Sequence, residues 1–214
     1  MRNTRTRLVQ AATLAVVVRV MAEPAYAHPH VFVTVEATAL FDHGAFTGIR
    51  HKWTFDEYYT EMAIEGLDKN HDGKYDRAEL SELAKVNIDT LKDFAYFTYP
   101  TLAGEAVKLE APRDYYLEYK DKSLSLYFTL PFAAPVLTDA KGFKVQVSDP
   151  TIFIAFQPAK GAPPVQLGPG APKSCRVTIG EPDGPSTAAL KNALTQFGGV
   201  TSLAVTFSIA CGGP

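Results

Sequence analysis

From Val31 the chain runs Val-Phe-Val-Thr-Val, a β-branched stretch that suits a pleated surface and predicts a strand. Phe41-Asp42-His43-Gly44 reads as a turn, and Ile49 to Phe55 alternates apolar and polar positions as a second strand does. The period changes at Asp56. Tyr58, Tyr59, Met62 and Leu67 recur at helical spacing, and Arg77 to Phe94 carries Leu80, Leu83, Ala84, Val86 and Leu91 on one side of a second helix. After Pro100 the helical signal fades into short runs at Val107 to Leu109, Tyr115 to Tyr119, Leu124 to Leu130 and Phe143 to Val147. Thr151 to Phe156 reads as a further strand, and the Pro- and Gly-rich stretch Gly161 to Pro172 as an exposed loop. Ser186 to Gln196 predicts a short helix and Leu203 to Ile209 a closing strand. The expected fold is mainly β and β-sandwich-like, α+β overall, with a helix–loop–helix inserted at about 56–97.

The first residues follow other rules. Arg2, Arg5 and Arg7 make a positive start, Ala11 to Val18 is a short apolar run, and Ala25-Tyr26-Ala27 offers small residues for cleavage. This layout predicts a secretory signal peptide over residues 1–27, a periplasmic product, and a single β-rich domain over 28–214. An uncleaved anchor is the alternative, but the apolar run stops at Arg19, well short of the ~20 residues a spanning helix needs. No later stretch is apolar enough to span, so no membrane span is expected after cleavage. Cleavage would remove four arginines and one acid, Glu23, moving the formal charge from −2 to −5. That balance gives no reason to expect nucleic acid as a partner. Two cysteines, Cys175 and Cys211, would pair in an oxidising compartment; two buried thiols are the alternative.

Between the two helical patterns, Asp68-Lys69-Asn70-His71-Asp72-Gly73-Lys74-Tyr75-Asp76-Arg77-Ala78-Glu79 matches the twelve-residue EF-hand loop. Asp68, Asn70 and Asp72 stand at positions 1, 3 and 5, and Gly73 at position 6 allows the sharp turn. Lys74 would offer its backbone carbonyl at position 7, Asp76 acts directly or through water at 9, and Glu79 gives two oxygens at 12. Hard oxygen donors in a flexible ring suit Ca2+. The bland alternative is a polar surface turn that holds no metal. Tyr75 replaces the aliphatic residue through which paired hands join, and no second loop is visible. A lone hand of this kind reads as a structural clip and not a sensor.

Cleavage after Ala27 would make His28 the first residue of a His28-Pro29-His30 start. A free amine with the imidazole of the same residue chelates, and residues two apart on a strand share a face. Nitrogen donors suit Ni2+, Co2+, Cu2+ or Zn2+. A copper–nickel site of the X-X-His kind, which uses two deprotonated backbone amides, is excluded because Pro29 has no N–H. His51, Asp149 and Glu36 are candidates to complete the set; the alternative is two exposed polar residues at a fraying terminus. His43 and His71 read as turn and loop residues.

His28-Pro29-His30-Val31-Phe32-Val33, Trp53-Thr54-Phe55-Asp56-Glu57-Tyr58 before an Asp-rich loop, and Ser148-Asp149-Pro150-Thr151-Ile152-Phe153 together resemble the domain-of-unknown-function 1007 family. With Cys175, the resemblance spans nearly the whole chain after residue 27. It implies a periplasmic component of an uncharacterised transport system, with a nickel/cobalt-type membrane permease as partner and no established activity. Carried over residue by residue, it favours His28, His30 and Asp149 as ligands. Ser148 departs from the aromatic residue expected there, and His51 is outside the family's pattern.

The leading expectation is therefore a non-enzymatic, periplasmic metal-binding accessory protein of a membrane metal transport system. One alternative is a copper histidine-brace oxidative enzyme, with His51 as the only distant second histidine. Another is a calcium-stabilised structural or adhesive module. The sequence lacks Gly-x-Ser-x-Gly, His-Glu-x-x-His and Cys-x-x-Cys.

Overall fold

A computed structural model describes residues 29–151, 153–161, 163–180 and 203–212. The expected signal peptide, His28 and the helix expected over Ser186–Gln196 lie outside the described residues.

The alternation at the start of the chain builds its first hairpin. Strand β1 (Val31–Asp42) pairs antiparallel with β2 (Ala45–Phe55). His43 and Gly44 join them at φ +45° and +78°, the left-handed geometry that lets a two-residue turn follow the twist of both strands. Val35 stands opposite Trp53, Ala37 opposite His51 and Ala39 opposite Ile49. With a period of two, these residues share the inward face.

Further strands follow as β3 (Thr98–Leu102), β4 (Glu105–Ala106), β5 (Arg113–Lys120), β6 (Ser123–Leu137) and β7 (Phe143–Ser148). The last are β8 (Ile154–Pro158), β9 (Val165–Leu167), β10 (Arg176–Gly180) and β11 (Ala204–Ala210). The larger sheet runs β5-β6-β2-β1-β8, with β9 also pairing β1, and both β8 and β9 lie parallel to β1. The smaller sheet runs β10-β11-β7-β3-β4 and is antiparallel throughout. One core cluster joins Ala37, Phe46 and Ile49 of the larger sheet to Phe143, Val145 and Phe207 of the smaller. A second joins Trp53, Phe128 and Phe156 to Val147, Val205 and the helical element.

That element comprises α1 (Glu57–Ala63) and α2 (Ser81–Leu91), so the protein is a mixed α+β fold with two sheets and a short two-helix unit. Asp56 starts it. One carboxylate oxygen accepts from the Tyr59 N–H at 2.8 Å as a helix cap, and the other accepts from the Phe32 N–H of β1 at 2.8 Å. Thr60, fully buried, accepts the Leu124 N–H of β6 through its hydroxyl at 3.0 Å. The helices are thereby fixed to the sheet by polar contacts as well as by Ile64, Leu80, Ala84 and Ile88 in the core.

Several expected boundaries move. The second helix begins at Ser81, not Arg77, because residues 77–80 remain in turns that close the preceding loop. It gives way to a 3-10 segment (Lys92–Phe97), where Ala95, Tyr96 and Phe97 adopt φ of +51°, +53° and +45° and break the helical path. The strand expected from Thr151 starts only at Ile154, since the Asp149 carboxylate captures the N–H groups ahead of it. Gly161 to Pro172 is not wholly an exposed loop: Val165 is buried within β9 and pairs with Ala37. Among the described residues no helix is long and apolar enough to cross a membrane.

Candidate functional site

The loop from Asp68 to Glu79 is held at both ends by apolar anchors. Leu67, just before it, packs on the core, and Leu80, just after it, is buried. Its side-chain oxygens turn inward onto the loop's own backbone. Asp68 accepts from the N–H groups of Asp72 at 3.2 Å and Gly73 at 3.0 Å. Asn70 accepts from Asp72 at 2.9 Å, and Asp72 from Lys74 at 2.8 Å. Asp76 accepts from Ala78 and Glu79 at 2.7 and 2.9 Å. Glu79 closes the ring, with one oxygen on the Lys69 N–H at 3.0 Å and the other on the Asp76 N–H at 3.1 Å. Gly73 sits at φ +74°, a conformation that glycine adopts without strain.

The loop is also fastened outward. The Tyr75 ring meets Tyr119 of β5 edge-on at 4.9 Å, and the Arg77 guanidinium lies 3.7 Å from the Tyr116 ring centre. Tyr116 stacks in turn on Tyr127 of β6 at 4.6 Å. Partial desolvation first, then the negative charge of Asp68, raises the Tyr75 phenol above its ordinary value. These tyrosine partners were not foreseen; a run of aromatic residues in an otherwise polar edge strand, Tyr115-Tyr116-Leu117-Glu118-Tyr119, is the signal that could have found them.

The nitrogen-donor candidates are placed differently from one another. His30 is exposed at the head of β1, its N–H donates to the Phe153 carbonyl at 2.8 Å, and its ring lies 4.9 Å from the Phe153 ring. Asp149 meets the same turn from inside. Its carboxylate accepts four bonds: from the Thr151 N–H and hydroxyl, and from the Phe153 and Ile154 N–H groups. His51 is fully buried, stacked on Phe128 at 4.8 Å and edge-on to Trp53 at 5.5 Å. Burial pushes its pKa down to about 3, so the ring is neutral. The Thr98 hydroxyl donates to the Tyr96 carbonyl at 2.9 Å, so His51 Nε2 carries the proton that it shares with Thr98 Oγ1 at 3.3 Å. Its Nδ1 has no partner among the described residues. Glu36 pairs with Lys52 at 2.8 Å.

Among the described residues no three His, Cys, Asp or Glu side chains are gathered as a metal centre gathers them. His30, His51 and Asp149 thus do not form a set by themselves, and the loop carboxylates are turned onto backbone N–H groups. The cysteines do meet. Cys175 and Cys211 form a disulfide one step beyond the Arg176–Ala210 pair of the β10–β11 ladder.

Over residues 13–204 the chain matches a protein family described as a protein of unknown function, DUF1007. The chain belongs to the DUF1007 family. An uncharacterized protein of Haemophilus influenzae (strain ATCC 51907 / DSM 11121 / KW20 / Rd) is 28% identical over 130 residues, which cover 61% of this chain. The match spans 62% of that relative's length. Both sheets and the two-helix element lie largely within the DUF1007 match.

Proposed function

We propose that this DUF1007 protein is an exported metal-handling accessory protein whose loop 68–79 binds Ca2+. The ligands would be the side chains of Asp68, Asn70, Asp72, Asp76 and Glu79 and the Lys74 carbonyl. The observation that carries the reading is the inward hydrogen bonding of that loop. Each proposed side-chain ligand already points toward the ring, and a carboxylate or amide oxygen that accepts one N–H keeps a lone pair for a cation. The donor set is entirely oxygen, which fits Ca2+. Bound there, the ion would supply positive charge to four clustered acids and tie α1, α2 and β5 into one unit. Tyr75, engaged with Tyr119, is not free to join a second hand, which favours a clip over a sensor.

Glu79→Gln is expected to lower calcium affinity at least tenfold, since one carboxylate oxygen becomes a neutral amide. Titration calorimetry decides it, and equal affinities would sink the calcium reading. Calcium should also raise the melting temperature of the unaltered protein, because the folded state alone binds it.

The transition-metal part of the proposal rests on His28 and His30, with a periplasmic location and a membrane permease as partner. Its support is the exposed ring of His30 on a backbone pinned to Phe153. Protein processed to begin at His28 should bind Cu2+ or Ni2+ much more tightly than protein with an added Met, increasingly so at higher pH between about 6 and 8. Equal binding by both forms would place any such metal elsewhere. The copper-brace enzyme needs His51 at the metal, and that ring is enclosed by Phe128, Trp53 and Thr98.

A further inference from the structure

A cavity of about 330 Å³ lies where α2 and its 3-10 segment face the larger sheet. Its volume exceeds that of a packing defect. An apolar cavity of about 150 Å³ already takes benzene, and ligand pockets begin near 300 Å³. The walls are almost wholly apolar, with Val33, Phe55, Leu126 and Phe156 from the strands and Leu91 and Phe97 from the helical side. Two further wall residues, Phe94 and Phe153, are 43% and 52% exposed, so large aromatic surface is left to water beside the opening.

Polar atoms on the wall narrow the chemistry. Trp53 is 1% exposed, lines the cavity, and its indole N–H finds no acceptor among the described residues. A buried donor without a partner is costly, and a protein normally meets it with an acceptor or a bound molecule. Asn87 of α2 lines the same cavity, and its amide nitrogen is likewise without a partner. Among the described residues no Lys, Arg or His lines the space, and the one carboxylate that does, Asp149, is already committed to four donors. The described wall thus offers a cation no uncommitted carboxylate, and an anion would meet the charge of Asp149 with no basic group to offset it.

We propose that this cavity binds a small, uncharged, mainly apolar molecule carrying one hydrogen-bond acceptor, oriented by the Trp53 indole N–H. The proposal is independent of the calcium loop, and its test holds calcium constant. Trp53 is the chain's only tryptophan, so its emission reports the cavity directly. The probe is 2-acetylnaphthalene, a fused bicycle with a carbonyl. It should quench Trp53 saturably, with a Kd on the order of 100 μM or tighter for a ligand of its size. Two analogues of similar shape, 2-ethylnaphthalene without an acceptor and 2-naphthoate with a negative charge, should each bind about fivefold more weakly. By calorimetry, Trp53→Phe should reduce acetylnaphthalene binding to the level of the ethyl analogue and leave the ethyl analogue unchanged. Leu91→Phe, which adds volume from the helix side, should weaken binding at least tenfold with no fall in melting temperature. Absence of saturable quenching, or undiminished binding by folded Leu91→Phe protein, overturns the site. Equal affinity for the acetyl and ethyl compounds overturns the role assigned to Trp53.

Discussion

Replacing Cys175 and Cys211 together with alanine is expected to lower the free energy of unfolding by about 4 kcal/mol. The bridge joins residues 36 positions apart, and the chain-entropy argument gives that magnitude for a loop of such length. The location adds to the effect. Among the described residues β10 is an edge strand with four of its five residues exposed, and β11 is its one strand partner. Without the bridge, little apolar burial keeps it on the sheet. Urea unfolding of both proteins without reductant checks this, and the altered protein should show a lower midpoint and a steeper dependence on urea. An unchanged midpoint would mean that the bridge merely records a contact the ladder already secures.

The second large effect concerns acid. His51 has its pKa lowered by burial to about 3 in the folded protein, against 6.5 when exposed. Above pH 6.5 the ring is neutral in both states and contributes no pH dependence. Below it the unfolded chain takes up a proton that the folded protein refuses, so stability falls with falling pH until about pH 3. The slope approaches about 1.4 kcal/mol per pH unit below pH 6.5, which amounts to about 2 kcal/mol between pH 6.5 and 4.5. His51→Phe should abolish this part of the acid sensitivity. It keeps a ring against Phe128, and the Thr98 hydroxyl retains its bond to Tyr96. Comparing the stability gap between the two proteins at pH 7 and 4.5 removes the shared contribution of the carboxylates. If both lose the same amount, His51 is not held neutral.

Much of the fold follows from local pattern. The alternation from Val31 and from Ile49, with Asp-His-Gly between them, determines the first hairpin because register, burial and turn agree there. A count of two cysteines, with the oxidising compartment the first residues lead one to expect, points to their pairing, and the bridge is present. His51 was legible in another way. It shares the alternating face of Ile49 and Trp53, so period alone assigns it to the core, while its chemistry drew attention as a ligand. Other features depend on distant partners. Nothing around Val165-Gln166-Leu167 announces a strand until β1 offers an edge, and the four donors on Asp149 belong to a turn that no periodicity describes. Trp53 reads from sequence as a core aromatic; only three dimensions reveal that its N–H faces no acceptor among the described residues.

The two sheets also differ in how far the chain must travel to make them. β1 and β2 are joined by two residues, as are β5 and β6, so most of the larger sheet arises from neighbours. The smaller sheet must collect β3 near residue 100, β7 near 145 and β11 near 207. Each such closure spends chain entropy before any contact repays it, which favours the hairpins first and the smaller sheet last. The cysteines flank the final ladder of that sheet, so they come within reach only when β11 has found β10. In order of assembly, the disulfide is a lock turned after the door has closed, and it slows unfolding far more than it speeds folding.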